Sequence, residues 1–254
     1  MRILIITQND PFFLAKNLDY LLAKMPKGAE VVGCIVFEVS PFGKSESFIS
    51  KIKRTYRVFG LGFVMRYGIS FVMNKLKRST KVHHVLEKYG VTQVTLEKRI
   101  NNKESLAIIK SYEPDLLVSI AGNQIFKKNL LSIPPKGTLN LHTALLPKYR
   151  GLMPTFWVLK NNEKETGVSV FFVDEGIDSG PIVVQQKVPI NGQTQQELIV
   201  QTKKIGMDCI IQAIVDIMED KVNLIDNPEE EMTYYSFPTR EDVKAFRKAG
   251  KKFY

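Results

Sequence analysis

Three short, uninterrupted apolar runs limit the possible folds of this chain more than any other feature. They cover residues 1–7, 31–37 and 116–120, and each is rich in aliphatic side chains. Runs without polar alternation suit strands that are buried on both faces of a parallel sheet. Between the first two runs, residues 12–25 carry apolar side chains at helical spacing, after an Asp-Pro pair of the kind that starts helices. Strand, helix and strand in this order predict a βαβ unit.

The rest of the chain continues the same alternation. We predict a helix over 105–112, strands over 137–141, 166–173 and 182–188, a long helix over 194–218, and a tail helix over 239–248. Together these elements predict an α/β fold: a Rossmann-like, open, mostly parallel twisted sheet flanked by helices, with a short C-terminal helical extension. We expect a main domain over 1–190 and the extension over 191–254. Ligands of such sheets bind beyond the carboxyl ends of the strands.

A strongly basic segment interrupts this pattern between residues 44 and 88. It carries eleven Lys or Arg residues and only two Glu, in a chain whose net charge is +10. A basic surface attracts nucleic acid, acidic lipid or phosphorylated small molecules. Three interpretations stay open: a basic surface insertion with one helix face packed on the core, a phosphate-binding or substrate-covering lobe, and an amphipathic segment on a membrane surface.

The spacing of the cysteines tests for a metal site, and the first residues test for a signal peptide. Cys34 and Cys209 have no CxxC or histidine spacing, so we expect no metal, and Cys34 lies in an apolar run that predicts a small core residue. The apolar run at the start is too short for a signal peptide. Since no stretch approaches the roughly 20 apolar residues of a membrane span, we expect a cytoplasmic protein without one.

Polar side chains collect where the strand 137–141 ends. Asn140 and His142 are two positions apart, so alternation along a strand places them on the same face. A proline, a tyrosine, an arginine and a glycine follow, and they require the chain to turn. A lone histidine in this position is more often structural than functional, so its interpretation depends on what lies nearby.

A second segment, between the strands 166–173 and 182–188, is acidic and rich in glycine. It carries Asp174, Gly176 and Asp178, followed by a Gly-Pro pair. Glycine and proline allow a sharp turn and a close approach of the backbone to a ligand. A carboxylate beside an imidazole orients the ring and favours its charged form. An isolated acidic turn is usually a solvated loop, so the interpretation of either segment depends on the pattern that the two form together.

The combined pattern resembles a known family. Asn-x-His, then Leu-Leu-Pro-x-Tyr-Arg-Gly, then Asp-x-Gly-x-Asp-x-Gly, is similar to the folate-dependent formyltransferases, which act on glycinamide ribonucleotide, methionyl-tRNA or nucleotide-linked sugars. The resemblance covers 1–189 and is strongest over 116–189. It implies 10-formyltetrahydrofolate as formyl donor, Asn140 at the oxyanion, His142 in proton transfer, and Asp178 as the carboxylate. Asp174 competes for the last role, but the 36-residue separation from His142 favours Asp178.

The same resemblance implies where the cofactor lies. The pteridine is expected between the loop after the fourth strand and the acidic loop. Here these correspond to Gln124, Ile125 and Phe126 on one side, and to Asp174, Gly176 and Asp178 on the other. The apolar pair Ile125 and Phe126 suits a ring sandwich, while ordinary core packing is the alternative for both side chains.

The acceptor amine is predicted from the branch that this chain resembles most, the nucleotide-sugar N-formyltransferases. We expect Tyr149, Arg150, Tyr234 and Tyr235 to contact substrate, although docking of the tail on the domain explains the last two equally well. Methionyl-tRNA is the alternative acceptor. About 65 residues follow Pro189, which leaves little room for the C-terminal β-barrel that the tRNA branch usually adds. The basic net charge still favours tRNA, because contacts to phosphates need only lysine and arginine.

Two further possibilities concern the whole protein. A protein of this fold that only binds folate or nucleotide, without catalysis, is an alternative of a different class, because fold does not fix function. A homodimer is also possible through apolar positions of the predicted helix 194–218, but burial within one chain explains those positions equally well.

Overall fold

A computed structural model describes residues 1–39 and 47–254. Lys44 and Glu46 of the basic segment lie outside the described residues. The helices and strands, in chain order, are β1 Arg2–Gln8, α1 Leu14–Ala23, β2 Glu30–Phe37, α2 Phe48–Phe59, α3 Leu61–Leu76, α4 Val82–Lys88, β3 Gln93–Val94, α5 Lys103–Ser111, β4 Leu116–Ile120, α6 Lys128–Leu131, β5 Thr138–His142, β6 Arg150–Gly151, α7 Pro154–Lys160, β7 Glu165–Phe172, β8 Ile182–Pro189, α8 Gln195–Met218, β9 Tyr234–Tyr235 and α9 Arg240–Lys248.

The main sheet confirms the predicted fold class. Within the described residues it has seven strands in the order β3-β2-β1-β4-β5-β7-β8. The first five strands run parallel, and β7 is antiparallel to both of its neighbours, β5 and β8. Strand order reverses between β1 and β4, and in such sheets the crevice at this switch point receives the ligand. The short strands β6 and β9 pair with each other in a separate ribbon.

Burial on both faces explains the uninterrupted apolar runs. In β1, Ile3 and Ile5 belong to the hydrophobic cluster formed with α1, α4 and α8, whereas Leu4 and Ile6 belong to the cluster formed with α5 and α6. Both faces of the strand therefore require apolar side chains, and no polar alternation appears. Cys34 is fully buried in the first cluster, as predicted.

Helix α8 closes one face of the sheet. Its first turn carries a capping box between Thr194 and Glu197. Its apolar stripe, including Ile210, Ile214 and Ile217, is buried against the sheet within this chain. That burial accounts for the stripe without a second subunit, and the division of the chain at residue 190 stays a prediction.

The tail returns to the domain and packs on α7. Thr239 and Asp242 form the predicted capping box at the start of α9. The ring of Phe246 stacks on Phe156 at 4.9 Å between centroids, and on Phe253 at 4.6 Å. No helix of the described residues has both the length and the apolar character needed to cross a bilayer.

Candidate active site

A cleft of about 560 Å³ opens beyond the carboxyl ends of β4 and β5. Its walls come from the ends of both strands, the acidic loop between β7 and β8, the start of α7, and single side chains of α2, α8 and the tail. The predicted catalytic residues and all predicted cofactor-binding residues line it: Gln124, Ile125, Phe126, Asn140, His142, Asp174, Gly176 and Asp178.

The His142 imidazole is held by two groups on opposite sides. Its Nε2 atom lies 2.7 Å from the carbonyl oxygen of Tyr149. Because a carbonyl only accepts, we assign the Nε2 proton to this hydrogen bond. The other ring nitrogen, Nδ1, lies 3.6 Å from Oδ2 of Asp178, and both side chains are largely buried. The arrangement leaves Nδ1 as the atom able to take a proton, beside a carboxylate that stabilises the resulting charge.

The carboxylate of Asp178 is itself fixed by the backbone. Oδ2 accepts a hydrogen bond of 2.9 Å from the N–H of Gly151. Gly151 has a φ of +96°, and a Cβ atom there would lie 2.3 Å from the carbonyl oxygen of Tyr235. Only glycine fits this position, since both the left-handed φ and the close approach exclude a side chain. The glycine of the Tyr-Arg-Gly motif therefore places a donor at the carboxylate.

Asn140 supplies an amide to the same cleft. It lies on β5, between Ser119 of β4 and Phe171 of β7 in the register of the sheet. Within the described part of the chain, nothing hydrogen-bonds to its side-chain amide. The amide is consequently available to donate to an oxygen that gains negative charge.

A residue that the sequence analysis missed holds the acidic loop in place. Asn227 donates hydrogen bonds of 2.9 Å from Nδ2 to the carbonyl oxygens of both Asp178 and Gly180. Its Oδ1 atom accepts from Nη2 of Arg150 at 2.8 Å. A single asparagine in a polar tail, 49 residues from the loop, has no pattern that distinguishes it beforehand.

The predicted cofactor residues differ in how far hydrogen bonds or burial already engage their side chains. The side chain of Gln124 accepts a hydrogen bond from the N–H of Ile100, and Phe126 is buried in the core beside α5. Ile125 is half exposed to the cleft. Asp174 accepts hydrogen bonds from Gly176 N and from the hydroxyl of Ser179, so it shapes its own loop. Cofactor roles for these residues stay predictions.

The predicted substrate residues are not brought into the cleft together. Tyr149 is buried and stacks on Tyr235, which in turn stacks on Trp157. Burial, together with a hydrogen bond that its hydroxyl donates to Glu163, raises the pKa of Tyr149. Both tyrosines lie in the aromatic packing around α7, and their role in substrate binding stays a prediction.

Arg150 and Tyr234 face a different opening. They line a second cavity of about 840 Å³ on the other side of the acidic loop, where Asp174, Glu175 and Glu229 also lie. Arg150 is buried and engaged by Asn227, and its Nε atom has no hydrogen-bond partner. Arg150 is thus linked to the acidic loop through Asn227, and a substrate role for either residue stays a prediction.

Two basic residues of the cleft were also missed. Arg54 of α2 and Lys203 of α8 both contribute to its lining. Lys203 is partly buried, and no hydrogen bond or ion pair joins its amine to another described residue. Burial lowers the pKa of Lys203, and the negative charge of Asp10 opposes that effect. In the sequence, Lys203 is one of several polar positions in a long helix and carries no signal.

Metal chemistry finds no donor set in this part of the molecule. Among the described residues, no group of three or more His, Cys, Asp or Glu side chains could hold a metal ion.

Comparison with known proteins places the chain among enzymes of one kind. The family model described as formyl transferase matches residues 68–214. A methionyl-tRNA formyltransferase of Kosmotoga olearia is 34% identical over 169 residues, which are 65% of this chain and 53% of that protein. The chain therefore spans about half the length of this relative.

Solved structures show the same fold at low identity. A phosphoribosylglycinamide formyltransferase from Anaplasma phagocytophilum superposes with a TM-score of 0.64 at 16% identity, over 92% of this chain and 98% of that one. An N-formyltransferase from Helicobacter canadensis, in complex with folinic acid and dTDP-3-aminofucose, has a TM-score of 0.59 at 18% identity, over 97% of this chain and 79% of that one. Because the family model covers more than half of the chain and the fold agrees, this protein belongs to the formyl transferase family.

Proposed function

We propose that this protein transfers a formyl group from 10-formyltetrahydrofolate to the amine of a nucleotide-linked amino sugar. The observation that carries the proposal is the meeting of Asn140, His142 and Asp178 in one cleft of a formyl transferase fold. The family supports formyl transfer. The shared position of Asn140, His142 and Asp178 in the cleft supports a role for each side chain in that transfer.

The chemistry assigns one task to each group. As the acceptor amine attacks the formyl carbon, the formyl oxygen gains negative charge, and the unpaired amide of Asn140 donates a hydrogen bond to it. The amine nitrogen loses a proton to Nδ1 of His142, and the carboxylate of Asp178 stabilises the imidazolium. The carbon–nitrogen bond to the folate then breaks, and His142 returns the proton to the departing nitrogen.

The cleft also suits the formyl donor. Ile125 exposes an apolar surface beside the buried ring of Phe126, and the acidic loop presents backbone groups across from them. A flat heteroaromatic ring needs apolar contact on its faces and hydrogen-bonding groups at its edge. A neighbour with this fold binds a folate ligand: the Helicobacter canadensis structure is a complex with folinic acid.

Positive charge in the cleft favours an anionic acceptor. Arg54 and Lys203 line the same space as the catalytic residues, and a diphosphate linking sugar and nucleoside would offer them negative oxygens. The complex of the Helicobacter canadensis protein with dTDP-3-aminofucose supports a sugar nucleotide. Methionyl-tRNA is the second candidate, because curated sequence relatives such as the Kosmotoga olearia protein carry that activity in their names and tRNA is also anionic.

A turnover assay with matched acceptors tests the proposal. The protein is incubated with 10-formyltetrahydrofolate and a panel of dTDP- and UDP-linked amino sugars, each beside its hydroxyl counterpart, and with methionyl-tRNA beside uncharged tRNA. We expect tetrahydrofolate and a formylated sugar only with an amino sugar. Turnover with methionyl-tRNA alone would establish the second candidate.

Thermal melting with 5-formyltetrahydrofolate separates catalysis from binding, because a ligand of the native state raises its stability. A melting shift without turnover on any acceptor would indicate a folate-binding protein instead. A folded protein that shows neither would contradict the proposal in full.

A further inference from the structure

Nearly all of the net positive charge of this protein comes from one segment. Residues 47–86 contain nine Lys or Arg residues and no Asp or Glu, whereas the remaining residues carry 27 basic and 26 acidic side chains. This segment, which contains α2 and α3, therefore contributes +9 of the net charge of +10, and the remaining residues are close to neutral.

The outward face of α3 is apolar. Leu61, Met65, Ile69, Val72 and Leu76 follow one another at intervals of three or four residues, so they form a single stripe along the helix. They are between 56% and 76% exposed. At 1.5 Å of rise per residue, the stripe is about 22 Å long.

The opposite face of α3 already packs on the protein. The ring of Phe63 stacks on Phe59 at 4.5 Å and meets the edge of Phe253 at 5.1 Å, while Tyr67 lies 4.7 Å from Phe12. The exposed stripe is thus not the side by which the helix docks on its own domain. A helix that is apolar on all sides is normally buried, so the exposed side of α3 indicates a partner.

Helix α2 exposes a similar surface. Phe48, Ile49, Ile52 and Tyr56 are between 40% and 65% exposed and share one face of the helix. Gly60 joins α2 directly to α3. Lysine and arginine side chains flank both apolar stripes, including Lys53, Arg57, Arg66 and Lys75.

We propose that the exposed faces of α2 and α3 dock this protein peripherally on an anionic lipid bilayer. Aliphatic and aromatic side chains would enter the boundary between headgroups and acyl chains, and the flanking cations would pair with lipid phosphates, as in interfacial helices. Arg54 of α2 also lines the catalytic cleft, so docking holds the site beside the membrane.

Charge separates this partner from the two obvious alternatives. A second copy of the chain, pairing through the same surface, would bring two sets of nine cations together without a carboxylate to offset them. Nucleic acid needs the cations but gains nothing from a stripe of exposed leucine, isoleucine, valine and methionine. An anionic bilayer satisfies both the charge and the apolar side chains.

Vesicle flotation tests the proposal with the full chain. The protein is mixed with vesicles of phosphatidylcholine, or of phosphatidylcholine with about one third phosphatidylglycerol. We expect flotation with the anionic vesicles, weakened by high salt. The variant Ile69→Gln/Val72→Gln/Leu76→Gln should bind at least about tenfold more weakly, because three inserting side chains become polar. Its melting temperature should match wild type, since these side chains are exposed.

Matched controls keep the result specific to this surface. Ile108→Gln/Val200→Gln/Leu224→Gln removes three other exposed aliphatic side chains and should float like wild type. A charge pair, Lys53→Gln/Lys77→Gln, should weaken binding to anionic vesicles.

The companion lysine control is Lys27→Gln/Lys164→Gln, which should leave flotation unchanged. The proposal is overturned if folded wild-type protein does not float, if it binds neutral vesicles equally well, or if the α3 variant floats like wild type. It is also overturned if wild type is a dimer that this variant dissociates, because the apolar stripe would then pair two copies.

Discussion

The pairing of Asp178 with His142 permits a quantitative test of the proposed proton transfer. Oδ2 of Asp178 lies 3.6 Å from Nδ1 of His142, and the side chains are 14% and 7% exposed. At an effective dielectric constant of about 20, two unit charges at this separation attract by about 4.6 kcal/mol. That attraction exists only after the imidazole has gained its proton, so it stabilises the transition state more than the resting enzyme.

The variant Asp178→Asn removes the charge and keeps the shape. One amide oxygen can still accept from the N–H of Gly151, so the loop is expected to stay in place. The full attraction corresponds to about three powers of ten in rate, and relaxation around the site reduces it, so we expect kcat to fall about 10²–10³-fold. Initial rates of tetrahydrofolate formation measure the loss, and thermal melting with 5-formyltetrahydrofolate measures whether folate binding persists.

Asp174→Asn is the matched control, because its carboxylate faces Gly176 N and the hydroxyl of Ser179 instead of the imidazole. We expect its kcat to stay within about threefold of wild type, as for a residue without transition-state contact. A folded Asp178→Asn enzyme with kcat in that same range would refute the assignment of Asp178. A large loss in Asp174→Asn alone would transfer the role to Asp174.

Three further changes follow from the structure. Asn227→Ala removes two hydrogen bonds that hold the acidic loop and leaves two partly buried carbonyl oxygens without that donor, so denaturant unfolding should show a loss of about 1–3 kcal/mol, and kcat should change by a larger factor than the KM for folate. Lys203→Met removes an amine. Burial lowers the pKa of this amine in the folded protein. The unfolded chain binds a proton at Lys203 more readily than the folded protein does, so the stability of the wild type rises with pH up to the ordinary lysine range. At pH 7 the variant should therefore be more stable than the wild type, and the difference should shrink as pH rises. Burial raises the pKa of the Cys34 thiol to about 12, so a thiol reagent at mild pH should label it only after denaturation.

Each of these changes has a control in the same chain. Asn223→Ala alters an exposed asparagine and should leave stability and kcat unchanged, and Lys204→Met does the same for an exposed lysine on α8. Cys209 serves as a second test of the thiol prediction: burial raises its pKa to about 11, so it too should react only after denaturation. Full activity in Asn227→Ala, a less stable Lys203→Met at pH 7, or rapid labelling of the native protein would each contradict the corresponding reasoning.

Strands β1 and β4 were predictable because burial on both faces leaves few choices of side chain, whereas the two-residue strand β3 carries no such run and was not predicted. Helix boundaries were less so. The first helix was predicted from residue 12, yet α1 begins at Leu14, because the carboxylate of Asp10 binds the N–H groups of Phe12 and Phe13 in a preceding turn. A capping aspartate can hold a turn or a helix, and only the backbone geometry distinguishes the two.

Aromatic residues show a second limit of sequence reasoning. The predicted substrate contacts included Tyr149 and Tyr235, which stack on each other at 5.2 Å between ring centroids. Tyrosine in a polar tail is equally suited to cover a ligand or to pack on another ring, because its body is apolar and its hydroxyl needs one partner in either case. Which use applies to Tyr235 depends on Trp157 and Asn161, which contact it in the fold but lie far from it along the chain.

The tail shows why the site could be predicted by motif and yet not understood from it. Strand β9 pairs with β6, and this pairing places Gly151 where its N–H reaches Asp178. Asn227, just before β9, ties down the other side of the same loop. The motifs contain every proposed catalytic group, but the geometry that makes Asp178 face His142 depends on contacts 49 to 84 residues away along the chain. Local patterns cannot encode such contacts. We therefore expect the tail to support the proposed catalysis by positioning Asp178, although it carries no chemical motif of its own.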